Sequence, residues 1–291
     1  MTDVYLDRLA RRTAAIGSVL CLGLDPDPAA MPPTLSRDVG GIERFGRLVL
    51  EAALPFAAAV KPNLAFFEAW GSTGLAALER LRAAVPADVP VILDGKRGDI
   101  GSTSARQAAG LFDALGADAI TVNPYLGEAA IAPLLERTDR FAYVLCRTSN
   151  PGAEELQALH VVEDAETGAP AEPLWARVAR RAAGWGPGGT VGLVVGATAP
   201  ADLASARAVA PALPFLVPGV GAQGGDLDAV LAHGPATAGR AAGRAGGGLL
   251  VNVSRAIAAG AMEGRSAGAG DLQAGIAAAA RDWAARLPVL P

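Results

Sequence analysis

Eight short apolar runs, rich in β-branched residues, punctuate the chain at 18–25, 57–61, 89–94, 119–123, 141–147, 190–195, 214–217 and 248–253. Several lack the in–out alternation of a half-exposed strand, which is the pattern of strands covered on both faces in a parallel sheet. Helical spacing fills the intervals, as at 66–85, where Leu75, Leu78 and Leu81 recur on one side, and at 103–115. An amphipathic segment at about 2–15 precedes the first run. Eight strands alternating with helices predict an α/β fold: a single-domain (β/α)8 TIM barrel over 1–291, with an open doubly wound sheet as the alternative. The stretch at about 154–188 is polar and long for one strand-to-helix connection, and is expected as a surface excursion or lid. Ala- and Gly-rich sequence at 234–248 and 256–270 is expected to form loops. No internal repeat or domain linker is evident.

A barrel places its reactive groups at the C-terminal ends of its strands. Polar residues fall at those ends here: Asp25, Lys61, Asp94, Asn123, Arg147-Thr148-Ser149 and Ser254-Arg255.

Composition narrows the function. Hydrophobic residues make up 51% and charged residues 19% of the chain, enough for a large core and wrong for a disordered protein. A net charge of −4 and 5% aromatics give neither the basic footprint nor the stacking platforms of a nucleic-acid binder. The uncharged stretches at 182–201 and 208–225 are interrupted by Gly and Pro, so no membrane span is expected. Arg11-Arg12 and the apolar run after them read as a helix followed by the first core strand, not as an export signal. Cys21 and Cys146 lie in apolar runs, as buried thiols of a cytoplasmic protein would. His160 and His233 are expected on the surface. No His/Cys cluster has metal-ligand spacing and no dinucleotide fingerprint follows the first strand, so neither a metal nor a cofactor is expected.

Lysine is almost absent. Among 25 Lys and Arg, only Lys61 and Lys96 are lysines, and both end strand-like runs. Arg does not deprotonate in proteins, whereas the Lys ammonium can hand over its proton, so two retained lysines point to proton-transfer chemistry. Lys96 stands in Asp94-Gly95-Lys96-Arg97-Gly98-Asp99, where two carboxylates would hold an ammonium charged and oriented. That grouping suits either an acid bracketed by anions or a buried ion cluster. A second segment, Val217-Pro218-Gly219-Val220-Gly221-Ala222-Gln223-Gly224-Gly225-Asp226, leads from the seventh strand into a helix. Its glycines allow close backbone approach to an anion, at the place where barrels commonly hold phosphate, and Arg255 beyond the eighth strand could clamp the same group.

With those residues in place, the chain resembles the orotidine 5′-phosphate decarboxylase family. The family signature Asp-x-Lys-x-x-Asp ending the third strand is matched by Asp94, Lys96 and Asp99, and its second-strand lysine by Lys61; the likeness runs over roughly 18–255. The resemblance implies cofactor-free decarboxylation of orotidine 5′-monophosphate to uridine 5′-monophosphate, with Lys96 as proton donor to C6 and Lys61, Asp94 and Asp99 fixing it. It implies substrate contacts from Asp25 to the ribose, Ser149 to the pyrimidine, and Pro218, Gln223, Gly224 and Arg255 around the phosphate. It also implies a homodimer in which Asp99 and Thr103 reach the partner's site. Ser254 stands where many relatives have glycine. Two other readings remain: a magnesium-dependent phosphosugar decarboxylase or synthase of the same barrel type, which would carry an acid where Lys61 stands, and a non-catalytic phosphate-binding barrel.

Overall fold

The computed structural model describes residues 4–163, 168, 171–221, 224–263 and 269–290. All eight expected runs are parallel strands: β1 (Leu20–Leu24), β2 (Ala59–Pro62), β3 (Ile92–Arg97), β4 (Ala119–Val122), β5 (Phe141–Arg147), β6 (Val191–Val195), β7 (Phe215–Pro218) and β8 (Leu250–Val253). They pair in the cyclic order β2-β1-β8-β7-β6-β5-β4-β3. The two ends of that order meet through bridges at Val60↔Val91 and Asn63↔Asp94, and Leu64 N donates to Asp94 O at 3.1 Å. The sheet therefore closes on itself, and the open doubly wound alternative is excluded.

The surrounding helices are α1 (Tyr5–Ile16), α2 (Val39–Ala53), α3 (Gly71–Ala83), α4 (Gly101–Ala108), α5 (Glu128–Leu135), α6 (Leu174–Ala182), α7 (Pro200–Val209), α8 (Leu227–His233) and α9 (Ala269–Arg286). No described helix is long and apolar enough to cross a membrane. Asp38 caps α2 by accepting from Gly41 N at 2.8 Å, a side-chain oxygen answering a first-turn N–H that the helix cannot pair. The helix expected at 66–85 is broken at Gly71, whose φ of +57° ends the short turn Ala65–Glu68 and starts α3 afresh.

The excursion expected at about 154–188 is smaller than the sequence suggested. It comprises a turn of helix (Glu154–Gln157) and a two-stranded antiparallel hairpin pairing His160–Val161 with Glu172–Pro173. Its second half is the barrel helix α6, which buries Trp175, Ala176, Ala179 and Ala182. Its arginines, Arg180 and Arg181 exposed and Arg177 paired with Glu172 at 2.8 Å, made an amphipathic helix read as a polar stretch. The loop expected at 256–270 likewise contains short helices at Arg255–Ala258 and Gly260–Glu263 and the start of α9.

Inside the barrel, strand alternation stacks side chains in layers. Cys21, Ala59, Ile92, Ala119, Tyr143, Leu216 and Leu250 form an apolar floor, sealed from below by Tyr5, Leu6 and Leu9 of α1. Tyr5 stacks on Phe141 with ring centroids 4.7 Å apart, and its hydroxyl meets that of Tyr143 at 3.1 Å. Two residues further along the same strands stand Lys61, Asp94, Thr121, Leu145, Pro218 and Asn252. These face the open end.

Candidate active site

Lys61, Asp94 and Lys96 form one connected ion array. Lys61 Nζ donates to Asp94 Oδ2 at 2.5 Å and Lys96 Nζ to Asp94 Oδ1 at 2.7 Å. Lys61 is only 5% exposed and Asp94 8%, whereas the Lys96 side chain keeps half its surface open. Burial alone would drive the Lys61 ammonium toward neutrality; the carboxylates of Asp94 and Asp25 outweigh it and hold its pKa above the ordinary lysine value. For Asp94 burial pushes the carboxyl up, and the charges and hydrogen bonds of Lys61 and Lys96 overturn that, leaving it well below the usual carboxylate range. Lys61 and Asp94 thus keep each other charged in a place where neither alone would stay so.

The way Asp94 and Lys96 come together is not simple strand alternation. Between Leu93 and Arg97, β3 advances four residues while β4 advances two, from Ile120 to Val122, so β3 bulges at this point. Lys96 absorbs the bulge with φ +48°, the one non-glycine residue with positive φ among the described residues. A side chain in that region carries a cost of order 1–3 kcal/mol and persists where the surroundings hold it.

Two adjoining cavities open at this rim. The larger, about 370 Å³, is lined by Lys61, Asp94, Lys96, Thr121, Ser149 and neighbouring residues. The smaller, about 130 Å³, lies among Gly219, Gly221, Ser254 and Arg255. Asp25, Pro218 and Asn252 border both, and Asp25 and Asn252 each keep one buried side-chain oxygen without a hydrogen-bond partner. The pair of cavities thus offers a compartment with ammonium groups, an acceptor-lined waist, and a small compartment with a guanidinium and glycine backbone. Ser254 fits because its neighbour across the sheet is Gly23: a Cβ on residue 23 would lie 2.5 Å from Ser254 Cβ.

Of the expected site residues, Lys61, Asp94, Lys96, Asp25, Ser149, Pro218 and Arg255 converge on these cavities. Gly224 lies in the β7–α8 connection, its N–H donating to Gly221 O at 3.0 Å. Gln223 lies outside the described residues. Asp99 and Thr103 do not join the array of their own chain: the Asp99 carboxylate accepts from Ile100 N at 2.7 Å, and Thr103 is exposed on the first turn of α4. Two strand-end residues are otherwise employed. Arg147 pairs with Asp202 at 2.7 Å and Glu154 at 2.9 Å, tying the excursion to the barrel, and Asn123 Oδ1 caps Tyr125 N at 3.0 Å. His160 and His233 are exposed as expected. Thr121 and Asn252 were missed; each is a polar residue inside an otherwise apolar strand, two residues above a floor position, which is a signal the sequence does carry.

Comparison with known proteins gives a consistent result. Residues 18–268 match the model of the Orotidine 5′-phosphate decarboxylase / HUMPS family. The chain is 48% identical to the orotidine 5′-phosphate decarboxylase of Thermomicrobium roseum over 254 residues, covering 87% of this chain and 86% of that protein. It is also 48% identical to that of Halorubrum lacusprofundi, covering 87% of each. Among solved structures it superposes on Leishmania donovani OMP decarboxylase with TM-score 0.77 at 38% identity, covering 97% of this chain and 96% of that one. Leishmania donovani UMP synthase superposes with TM-score 0.80 at 41% identity over 98% of this chain, which spans 56% of that longer protein.

Proposed function

The chain belongs to the orotidine 5′-phosphate decarboxylase family, and from that membership and the rim geometry we propose that Lys96 is the proton donor of its reaction. The enzyme decarboxylates orotidine 5′-monophosphate to uridine 5′-monophosphate in pyrimidine biosynthesis. When the C6–carboxylate bond breaks, the electron pair stays at C6 in an orbital the ring delocalises poorly. A fixed positive charge beside that carbon stabilises it, and a proton delivered there completes the product. The observation that carries the assignment is the asymmetry of the two lysines around Asp94. Lys61 is sealed in the wall, while Lys96 is half open to the cavity and held by the same carboxylate. Asp94, itself held by Lys61, aims the donor; as CO2 leaves, Lys96 transfers its proton to C6, and solvent reprotonates the lysine.

In this reading the pyrimidine occupies the larger cavity beside Ser149, the phosphate the smaller one beside Arg255, and the ribose the waist bordered by Asp25 and Asn252. Pro218, Gly224 and, by the family's pattern, Gln223 complete the phosphate end. Binding energy from the phosphate end is available to the reaction at the ring because one rigid barrel holds both. The protein acts as a single barrel domain and as a homodimer, Asp99 and Thr103 of each copy serving the other's site. Their position outside their own cavity supports this, as does the exposed Ile100 between them in sequence. Buried thiols at Cys21 and Cys146 support a cytoplasmic setting.

The test is to add orotidine 5′-monophosphate to EDTA-treated protein and follow the loss of its absorbance. Turnover that survives EDTA and vanishes in Lys96→Ala is expected; turnover lost to EDTA and restored by magnesium would favour the metal-dependent relatives. Mixing inactive Lys96→Ala and Asp99→Ala subunits is expected to restore part of the activity through one intact shared site. No restoration would overturn the shared-site reading.

A further inference from the structure

We infer that Thr121, on β4, is a positioning residue for the decarboxylation, clamping Lys96 at its backbone while steadying the carboxylate that holds its ammonium. The inference rests on the reading of Lys96 as proton donor.

Thr121 is 2% exposed and lines the larger cavity. Its Oγ1 donates to Asp94 Oδ1 at 2.9 Å and accepts from Lys96 N at 2.9 Å. The oxygen Asp94 Oδ1 is the one that also receives the Lys96 ammonium, at 2.7 Å. One hydroxyl therefore closes a small ring that runs through Thr121 Oγ1, the Lys96 backbone, the Lys96 side chain and Asp94. The hydroxyl has a single hydrogen, and Asp94 takes it. With that hydrogen committed, a lone pair remains to meet the Lys96 N–H.

The location gives the ring its purpose. Lys96 sits at a bulge, in a left-handed conformation that its side chain disfavours, where the regular β3–β4 pairing has lapsed. Lys96 N is met there by the Thr121 side chain, and an unpaired N–H would leave the residue free to relax to the extended region. Thr121 supplies that acceptor. A long flexible ammonium is then fixed at both ends, by its own N–H and by its Nζ. Misplacing a reacting group by about 1 Å costs on the order of 100-fold in rate, so such a clamp bears on turnover more than on affinity. Valine has the shape of threonine without the hydroxyl, and serine has the hydroxyl without the methyl.

The experiment compares Thr121→Val, Thr121→Ser and Thr121→Ala with the parent and with Lys96→Ala. Each variant is assayed for kcat and KM, for UMP affinity and for its thermal midpoint. The expected result for Thr121→Val is a kcat lower by about 10- to 100-fold with UMP affinity within about threefold of the parent, and for Thr121→Ser a kcat within about fivefold. Thr121→Ala is expected to match valine, and it serves in valine's place if that variant does not fold. The inference is overturned if both hydroxyl-free variants keep kcat within about twofold, if serine is as impaired as they are, or if the loss lies in UMP affinity. Lys96→Ala separates the two ideas: if it is active, the donor assignment fails, and if it is inactive while Thr121→Val is normal, only the clamp fails.

Discussion

The floor and the rim of this barrel are two residues apart on the same strands, yet they solve opposite problems. At the floor, Ala59, Ile92, Ala119 and Leu250 pack against α1, and the polar groups that reach this depth, the Tyr5 and Tyr143 hydroxyls, bond to each other. Burial drives both phenols and the Cys21 thiol toward their neutral forms, Cys21 up to about 12. One step along each strand, Lys61, Asp94, Thr121 and Asn252 replace them, and the charged groups there are held charged by one another. The lower layer stores stability and the upper layer stores preorganised charge. Side-chain alternation with period two lets one set of strands do both.

Substitutions should separate the layers. The largest effect is expected at the rim. Lys96→Ala should lower kcat by at least about 1,000-fold while the thermal midpoint moves by no more than about 2 °C; a variant that keeps near-normal turnover breaks the assignment of chemistry to this layer. At the floor, Tyr5→Ala should destabilise the fold by about 3–5 kcal/mol in a denaturant titration and leave kcat of the folded fraction unchanged. Arg255→Ala should raise KM by about 10- to 100-fold, with a smaller fall in kcat, since one charge-assisted contact to a phosphate contributes about 1.5–3 kcal/mol. Tyr143→Phe, which removes half of the hydroxyl pair, should cost only about 1 kcal/mol of stability and no activity.

The layers should also part company in pH. Asp94 is depressed in the folded state, so its contribution to stability is complete above about pH 4, the unfolded carboxyl value, and is lost as pH falls below it. Cys21 is raised, so its contribution is complete below about pH 8.5, the unfolded thiol value, and is lost as pH climbs toward about 12. Urea unfolding across this range should show an acid limb flattened by Asp94→Asn and an alkaline limb reduced by Cys21→Ala. If Asp94→Asn leaves the acid limb as it was, that carboxylate is not what loses its stabilisation there.

The eight strands were legible because parallel strands covered on both faces are apolar throughout. Lys61 and Lys96 were legible because arginine has replaced lysine everywhere else. Helix α6 was hidden because Arg177, Arg180 and Arg181 outweigh its buried Trp175 and Ala179 in a count of polarity, although they occupy the outer side. The β3 bulge at Lys96 was illegible: Asp-Gly-Lys-Arg-Gly-Asp reads as a plain strand end, and the left-handed lysine follows from pairing with β4, a partner remote in sequence. Thr121 was overlooked because a threonine in a β-branched run looks like a strand former. Its importance comes from standing opposite that bulge.

Whether the Lys96 ammonium delivers a proton to C6 can be read from a crystal structure of the enzyme with uridine 5′-monophosphate bound. The Lys96 nitrogen is expected at about 3–3.5 Å from C6, with its bond to Asp94 intact. A nitrogen turned into solvent, with the pyrimidine lodged away from the Lys61–Asp94–Lys96 array, would contradict it.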